Sequence, residues 1–483
     1  MTDTAATRNE GELDVAIIGA GAAGTYLGYR LIQACPHWRI SILERSGRIG
    51  GRLWSVPVDG LTKPIELGGM RYMSGHVLVQ SIVDELGIRT RPFDAAKQPE
   101  RTVLRGVVGS SADDPEGGRA YDLSAGEAGR SAADLLTDAF VRIAPELHEL
   151  DEAGWRRYRA TAAFGGRPIT DWSIEEAVAT ILSPEGHRFV TDAFGYDSGI
   201  RPHNAGDAIE YLMGTGHPSG EARVPVDGMD RIPRELAAAF VARGGAVRLG
   251  ADVQRLDVRE GLTLLELAGG TSVRARRVVL TMPLPALEAL AARSPVIDGP
   301  VWRRLYHSNV GYSSVKMYAW YERPWWRDGA LAPPGLRTTT DQPVRKVFYF
   351  DEAPEGPAAI LAAFTDFRYD DPIVALAEGA SAGAAAPDGL LRELRAWLAA
   401  AHPGADVPAR PSGSAIQHWG NDPREVGWHF WRAGSNSDDM LDLAVQPDPS
   451  QPIHIAGEVF SRAGAWVEGA LMSSRLVEAR LLA

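Results

Sequence analysis

Gly19, Gly21 and Gly24 stand in GxGxxG spacing between a mostly apolar run, Leu13 to Ile18, and a stretch of small and apolar residues, Ala22 to Ala34, that suits a helix. In that context the first glycine permits a tight turn, the second lets backbone approach a pyrophosphate, and the third lets helix and strand pack closely. The helix start at Ala22 and Ala23 offers unpaired N–H groups and a positive dipole end to the phosphates. Glu44, followed by Arg45, lies twenty residues past the third glycine, where a carboxylate binds ribose hydroxyls. This is the pattern of a dinucleotide site, and taken alone it does not separate FAD from NAD. Glycines and arginines cluster again from Gly47 to Arg52 and from Gly68 to Arg71, as two loops reaching toward a ligand. Arg52 can give phosphate charge-assisted hydrogen bonds. Four lysines, Lys63, Lys97, Lys316 and Lys346, stand against forty-six arginines. Lys316, between Val315 and Met317, is therefore singled out as a cation that can lose its proton when buried.

The elements that position these residues follow from periodicity. Leu13 to Ile18 and Arg39 to Leu43 read as strands on either side of a helix, the opening β-α-β unit of a parallel sheet. From about residue 76 to 220 the patterning is helical, for example Val79 to Leu86 and Ser131 to Leu147, with a polar break at Gly109 to Gly118. Val247 to Val258 and Val273 to Met282 return to strand character. Ser314 to Tyr321, Lys346 to Phe350 and Ala358 to Phe364 form a second, mixed sheet. Ile453 to Ala456 is a last strand before the helix Trp466 to Leu482. The fold class is α/β, with a discontinuous dinucleotide domain over 12–75, 222–300 and 450–483, a largely helical domain over 76–221 and a substrate domain over 301–449.

A chain of 483 residues, 45% of them hydrophobic, has material for two or three packed cores. A net charge of -12 disfavours nucleic acid as a partner. No run of about 18 apolar residues suggests a membrane span, and the polar start from Met1 to Glu12 lacks the features of a secretory signal. The single cysteine, Cys35, is compatible with a reducing compartment, so a cytoplasmic location is expected. The eleven histidines show no metal-ligand spacing, and no metal is expected.

Arg48-Ile49-Gly50-Gly51-Arg52 resembles the RxGGR loop of the flavin-containing amine oxidase family. Glu66-Leu67-Gly68-Gly69-Met70-Arg71 is similar to the family segment beside the isoalloxazine, where adjacent glycines let backbone lie against a flat ring. Ala456-Gly457-Glu458 and Gly464-Ala465-Trp466-Val467-Glu468-Gly469-Ala470 resemble the family's closing motif. These matches span essentially the whole chain. They imply the amine oxidase fold, with a Rossmann-like FAD domain, a mixed-sheet substrate domain and a helical insertion. They also imply FAD, held non-covalently because no cysteine lies near the C-terminus. By resemblance Val253 meets adenine, Glu458 contacts the ribityl or pyrophosphate region, and the helix from Val467 through Ala470 points its N-terminus at the flavin. There it would stabilise an anionic reduced ring.

The resemblance also implies a substrate class. Lys316 matches the lysine that holds a water against the flavin. Arg71 matches the arginine with which amino-acid oxidases grip the substrate carboxylate, Tyr349 its second contact, and Ala465 and Trp466 the amino-group side of the substrate. A core strand tyrosine is the other reading of Tyr349, and packing the other reading of Trp466. His217 lies near a family histidine without matching its loop lengths. The expected reaction is oxidation of an L-α-amino acid by O2 and water to a 2-oxo acid, ammonia and hydrogen peroxide, in a homodimer. An aromatic substrate is suggested by Gly427-Trp428-His429-Phe430-Trp431. An amine or polyamine oxidase and a decarboxylating amino-acid monooxygenase are the alternatives.

Overall fold

The computed structural model describes residues 12–93, 100–110, 114–213, 219–328, 337–350 and 356–483, apart from 368, 378 and 381. His217 lies outside the described residues. Leu13–Ile18 sits at the centre of a seven-stranded sheet because its last four residues are buried, as a parallel strand covered on both faces must be. Ile40–Glu44 and Ser272–Leu280 flank it in parallel. Ala246–Leu249 extends one edge, Leu262–Leu267 and Val253–Arg259 add antiparallel strands, and Ile453–Ile455 runs parallel to Ser272–Leu280. The helix Ala22–Ala34 packs between this sheet and the helices Arg231–Ala242 and Val467–Leu482.

The second sheet also has seven strands, in the order Gly413–Trp419, Ser314–Tyr321, Ala358–Asp366, Lys346–Phe350, Arg337–Thr340, Glu100–Leu104 and Val107–Gly109. One face turns toward the dinucleotide domain. The other carries the helix Asp388–Ala401, whose Leu390, Leu394, Leu398 and Ala401 form one buried stripe.

Two expectations are corrected. Glu100–Leu104 and Val107–Gly109 are strands of the substrate sheet, although they fall inside the stretch expected to be helical. Their connection is a two-residue turn, Arg105-Gly106, with φ of 47° and 81°, the left-handed pair that closes a tight hairpin. Val247 to Val258 is not one strand: Gly250, at φ 70°, breaks it, and its halves pair with different neighbours. Helices do dominate from Ala132 to Met213, where Ser131, Asp151, Ser173 and Ser183 each cap a helix start through a side-chain oxygen. Among the described residues no helix is long and apolar enough to cross a membrane.

Candidate active site

A cavity of about 1310 Å³ runs from the glycine turn to the substrate sheet. Ligand pockets ordinarily measure about 300–1,000 Å³, so this one has room for a dinucleotide and a second molecule. At its first end the glycine spacing is dictated by contact. A Cβ on Gly24 would lie 2.0 Å from the Gly19 carbonyl oxygen, and one on Gly19, which has φ 113°, would lie 2.6 Å from the Thr281 hydroxyl. Gly21, by contrast, has only the Gly51 Cα within 4 Å, at 3.9 Å, which leaves space over the helix start. Among the described residues no side chain caps that helix, which leaves its first N–H groups available to a ligand. Ala22, Ala23, Gly51 and Val253 line this end. Glu44 accepts hydrogen bonds from the backbone N–H of Ala20 at 2.8 Å and Ser46 at 2.9 Å, which fixes its carboxylate at the cavity wall. Gly24→Ala is accordingly expected to yield protein with little bound flavin, read as the ratio of flavin to protein absorbance; a fully yellow variant would overturn this account of the turn.

Arg45 and Glu458 both line the cavity and are both engaged by protein groups. Arg45 lines the cavity but is engaged by Asp422 at 2.7 Å and Glu425 at 2.6 Å. Glu458 Oε1 accepts from the N–H groups of His429 at 2.9 Å and Ala465 at 2.8 Å, and Oε2 accepts from Arg52 Nη1 at 2.7 Å and His429 Nδ1 at 2.8 Å. A carboxylate offers about four acceptor sites, so Glu458 is saturated by protein and holds its neighbours in place. The Arg52 guanidinium and the His429 ring keep its carboxyl ionised, far below the usual carboxylate range, against the cost of burial. His429 also accepts from the Leu284 N–H through Nε2 at 3.1 Å, and burial lowers its pKa, which makes it a neutral strut. Its role was missed because Leu284, His429 and Glu458 lie far apart in the chain.

At the flavin end, Gly68 admits no side chain because a Cβ would lie 2.1 Å from the Arg52 carbonyl oxygen, and one on Gly69 would lie 2.8 Å from Leu53. Met70 lines the wall beside them. Lys316 is 4% exposed and lies at the cavity edge, donating from Nζ to the carbonyl oxygens of Gly68 and Glu66. Burial pushes its pKa down, Glu66 opposes that shift, and Arg71 adds to it. Glu66 is the further residue that the sequence reading passed over. It is buried, accepts from Ser55 Oγ at 2.7 Å and Met229 N–H at 2.9 Å, and burial raises its pKa.

Arg71 lines the cavity with its guanidinium carbon 5.5 Å from the Phe93 ring and 5.9 Å from the Trp466 ring. Its Nη1 is buried and has no hydrogen-bond partner among the described residues. Trp466 donates from Nε1 to the Tyr211 hydroxyl at 3.0 Å and meets His76 edge-on. Trp466 precedes the helix Val467–Leu482, whose start has no side-chain cap and faces the cavity through Val467 and Ala470. Ala465 sits there at φ 64°. Tyr349 does not join this group. Along Lys346–Phe350, Lys346 lies on the cavity side, whereas Val347 and Tyr349 alternate onto the helix-covered face. There the Tyr349 hydroxyl is 2.8 Å from Thr338 Oγ1 and bonds His402 Nε2, so it is a core residue.

These residues fit FAD. A glycine cradle that a Cβ would fill, two helix starts without side-chain caps and a fixed ribose carboxylate lie along one cavity.

Achacin from Lissachatina fulica is 26% identical over 97% of this chain and 93% of its own length. The L-amino-acid oxidase of Mus musculus is 24% identical over 97% of this chain and 70% of its own length. Among solved structures, wild-type putrescine oxidase bound to putrescine superposes with a TM-score of 0.73 at 18% identity, covering 97% of this chain and 98% of that one. Cyclohexylamine oxidase from Brevibacterium oxydans gives 0.72 at 20% identity, covering 98% and 99%. The sequence profile of the flavin containing amine oxidoreductases matches residues 23–482, and the chain belongs to that family.

Proposed function

We propose that the protein is an FAD-dependent oxidase of L-α-amino acids, yielding a 2-oxo acid, ammonia and hydrogen peroxide from the amino acid, O2 and water. Arg71 carries this reading. A guanidinium with a buried, unpartnered Nη1 beside two aromatic rings is completed by a carboxylate, whereas a simple amine would leave it unpaired. Several relatives at 24–26% identity are L-amino-acid oxidases, which supports the same reading. FAD, when bound, would supply the two-electron acceptor for a hydride from the substrate's Cα, with O2 as the final oxidant.

The chain's own residues do the rest. Arg71 fixes the acid group, and Trp466 and Phe93 shield that contact from water, which strengthens it. Orientation of this kind accounts for much of the barrier lowering in such reactions. Lys316, its pKa lowered by burial, can hold or release a proton beside the bound substrate. Cys35 ends the helix Ala22–Ala34 and does not line the cavity, which supports non-covalent retention of the flavin.

The deciding experiment is anaerobic mixing of the yellow protein with L-amino acids, D-amino acids and simple amines. Bleaching by L-amino acids is expected, and bleaching by amines alone would overturn the reading. A second measurement addresses Lys316. The Glu66 carboxylate favours the ammonium form, so Glu66→Gln removes a negative charge that holds the Lys316 pKa up. Lys316 then loses its proton at lower pH, and the corresponding limb of the flavin-reduction rate should move toward acid. A limb that stays in place or moves toward alkali would sever the link.

A further inference from the structure

We propose that the far end of the substrate chamber holds a second anion subsite, built from Lys346 and Arg337 around Glu100 with Tyr196 beside them, which takes a carboxylate at the tip of the substrate side chain. The preferred substrates are then L-α-amino acids with an acidic side chain. This rests on the reading that Arg71 takes the α-carboxylate.

The sheet register sets the geometry. Lys316 and Lys346 both pair with Phe364, from strands on its two sides, so they occupy one row of the sheet. They are two strand spacings apart, about 10 Å between backbones, and both line the cavity. Two of the chain's four lysines are placed in this way. Aromatic rings bridge them: Lys316 Nζ lies 4.7 Å from the Phe364 ring centre, Phe364 and Tyr196 meet edge-on at 5.4 Å, and Lys346 Nζ lies 4.7 Å from Tyr196. Lys316 marks the reacting end and Lys346 the distal end of one aromatic-walled shaft.

Among the described residues the charge at the distal end does not balance. Lys346 Nζ reaches Glu100 Oε1 at 3.1 Å, and Arg337 Nη2 reaches Oε2 at 2.5 Å. These two cations push the Glu100 pKa down to about 2 against the cost of burial, so among the described residues one ionised carboxylate serves two positive groups. Arg337 Nε and the Tyr196 hydroxyl are both buried without a hydrogen-bond partner among the described residues. Lys346, the deeply buried cation of the cluster, thus shares its counter-charge with the partly exposed Arg337, and incompletely neutralised charge at that depth is costly unless a further partner supplies the balance. Arg71 adds a further positive charge to the same cavity, in a protein whose net charge is -12. A cationic chamber with low-dielectric walls concentrates substrates that carry two carboxylates and repels basic ones.

The test uses oxidised holoenzyme and ligands without an amino group, so that binding is read without turnover. Glutarate and adipate should perturb the flavin spectrum at concentrations about tenfold or more below those needed for butyrate and hexanoate, as a charge-assisted contact requires. In turnover, L-glutamate or L-2-aminoadipate should exceed L-norleucine and L-lysine in kcat/KM. Lys346→Met should reduce the dicarboxylate preference, and Lys346→Arg should restore much of it. Equal binding of mono- and dicarboxylates to the unaltered enzyme, or a preference for L-lysine, overturns the subsite even if the variant fails to fold. If monocarboxylates still bind in that case, and lose affinity in Arg71→Leu, the amino-acid reading stands. If no carboxylate binds and only amines are oxidised, that reading falls and the subsite with it.

Discussion

Arg71→Leu should lower kcat/KM for L-amino acids by roughly thirty- to several-thousandfold while the protein stays yellow. Removing one partner of a desolvated, hydrogen-bonded charge pair costs about 2–5 kcal/mol, and each 1.4 kcal/mol is about tenfold. The loss should fall on amino acids selectively, because an amine without a carboxylate makes no use of the guanidinium. For such amines the variant is expected to match or exceed the parent, since the chamber no longer holds an unpaired cation. Flavin content should be preserved: the hydrogen bonds that order the glycine turn, Glu44 and the Arg52–Glu458–His429 cluster do not involve Arg71. Steady-state rates on a matched amino acid and its decarboxylated amine give the ratio directly. An unchanged ratio would remove Arg71 from substrate binding.

How much of this was legible beforehand depends on the range of the interaction. The glycine turn, Glu44 and the opening β-α-β unit were readable because their causes are local, namely φ angles, a Cβ clash and a helix start. Glu458 was legible as a cavity carboxylate, but nothing in Ala456-Gly457-Glu458 shows that it accepts from His429, Ala465 and Arg52. Glu66 carried a signal, a carboxylate in a short buried strand, that the adjacent glycines overshadowed. Tyr349 failed through register. In a strand a one-residue difference reverses the face, and the register irregularity between Lys346 and Phe348 falls in just this segment. The hairpin at Arg105-Gly106 was lost because its strands are short and find partners only in Arg337–Thr340, more than two hundred residues later.

Lys316→Met should slow reduction of the bound flavin by about a hundred- to ten-thousandfold, the range typical of a positioned proton-transferring group, with substrate affinity changed far less. Methionine fills a similar volume, so the strand Ser314–Tyr321 should pack as before, and the lost feature is the amine held on the Gly68 and Glu66 carbonyl oxygens. The substitution also acts on Glu66. The Lys316 charge lowers the Glu66 pKa, so its removal lets burial push that already raised value further up. A carboxyl that is protonated when folded and ionised when unfolded holds more protons in the native state, so stability falls as pH rises between the unfolded value, about 4.3, and the folded one. The upper limit of that window should therefore lie at higher pH in Lys316→Met than in the parent, visible as a Tm that keeps falling where the parent's has levelled. Combining Lys316→Met with Glu66→Gln should abolish the extra pH dependence while leaving reduction slow, which separates the electrostatic pair from the catalytic role. Reduction at the parental rate in the single variant would show that Lys316 only fills space beside the ring.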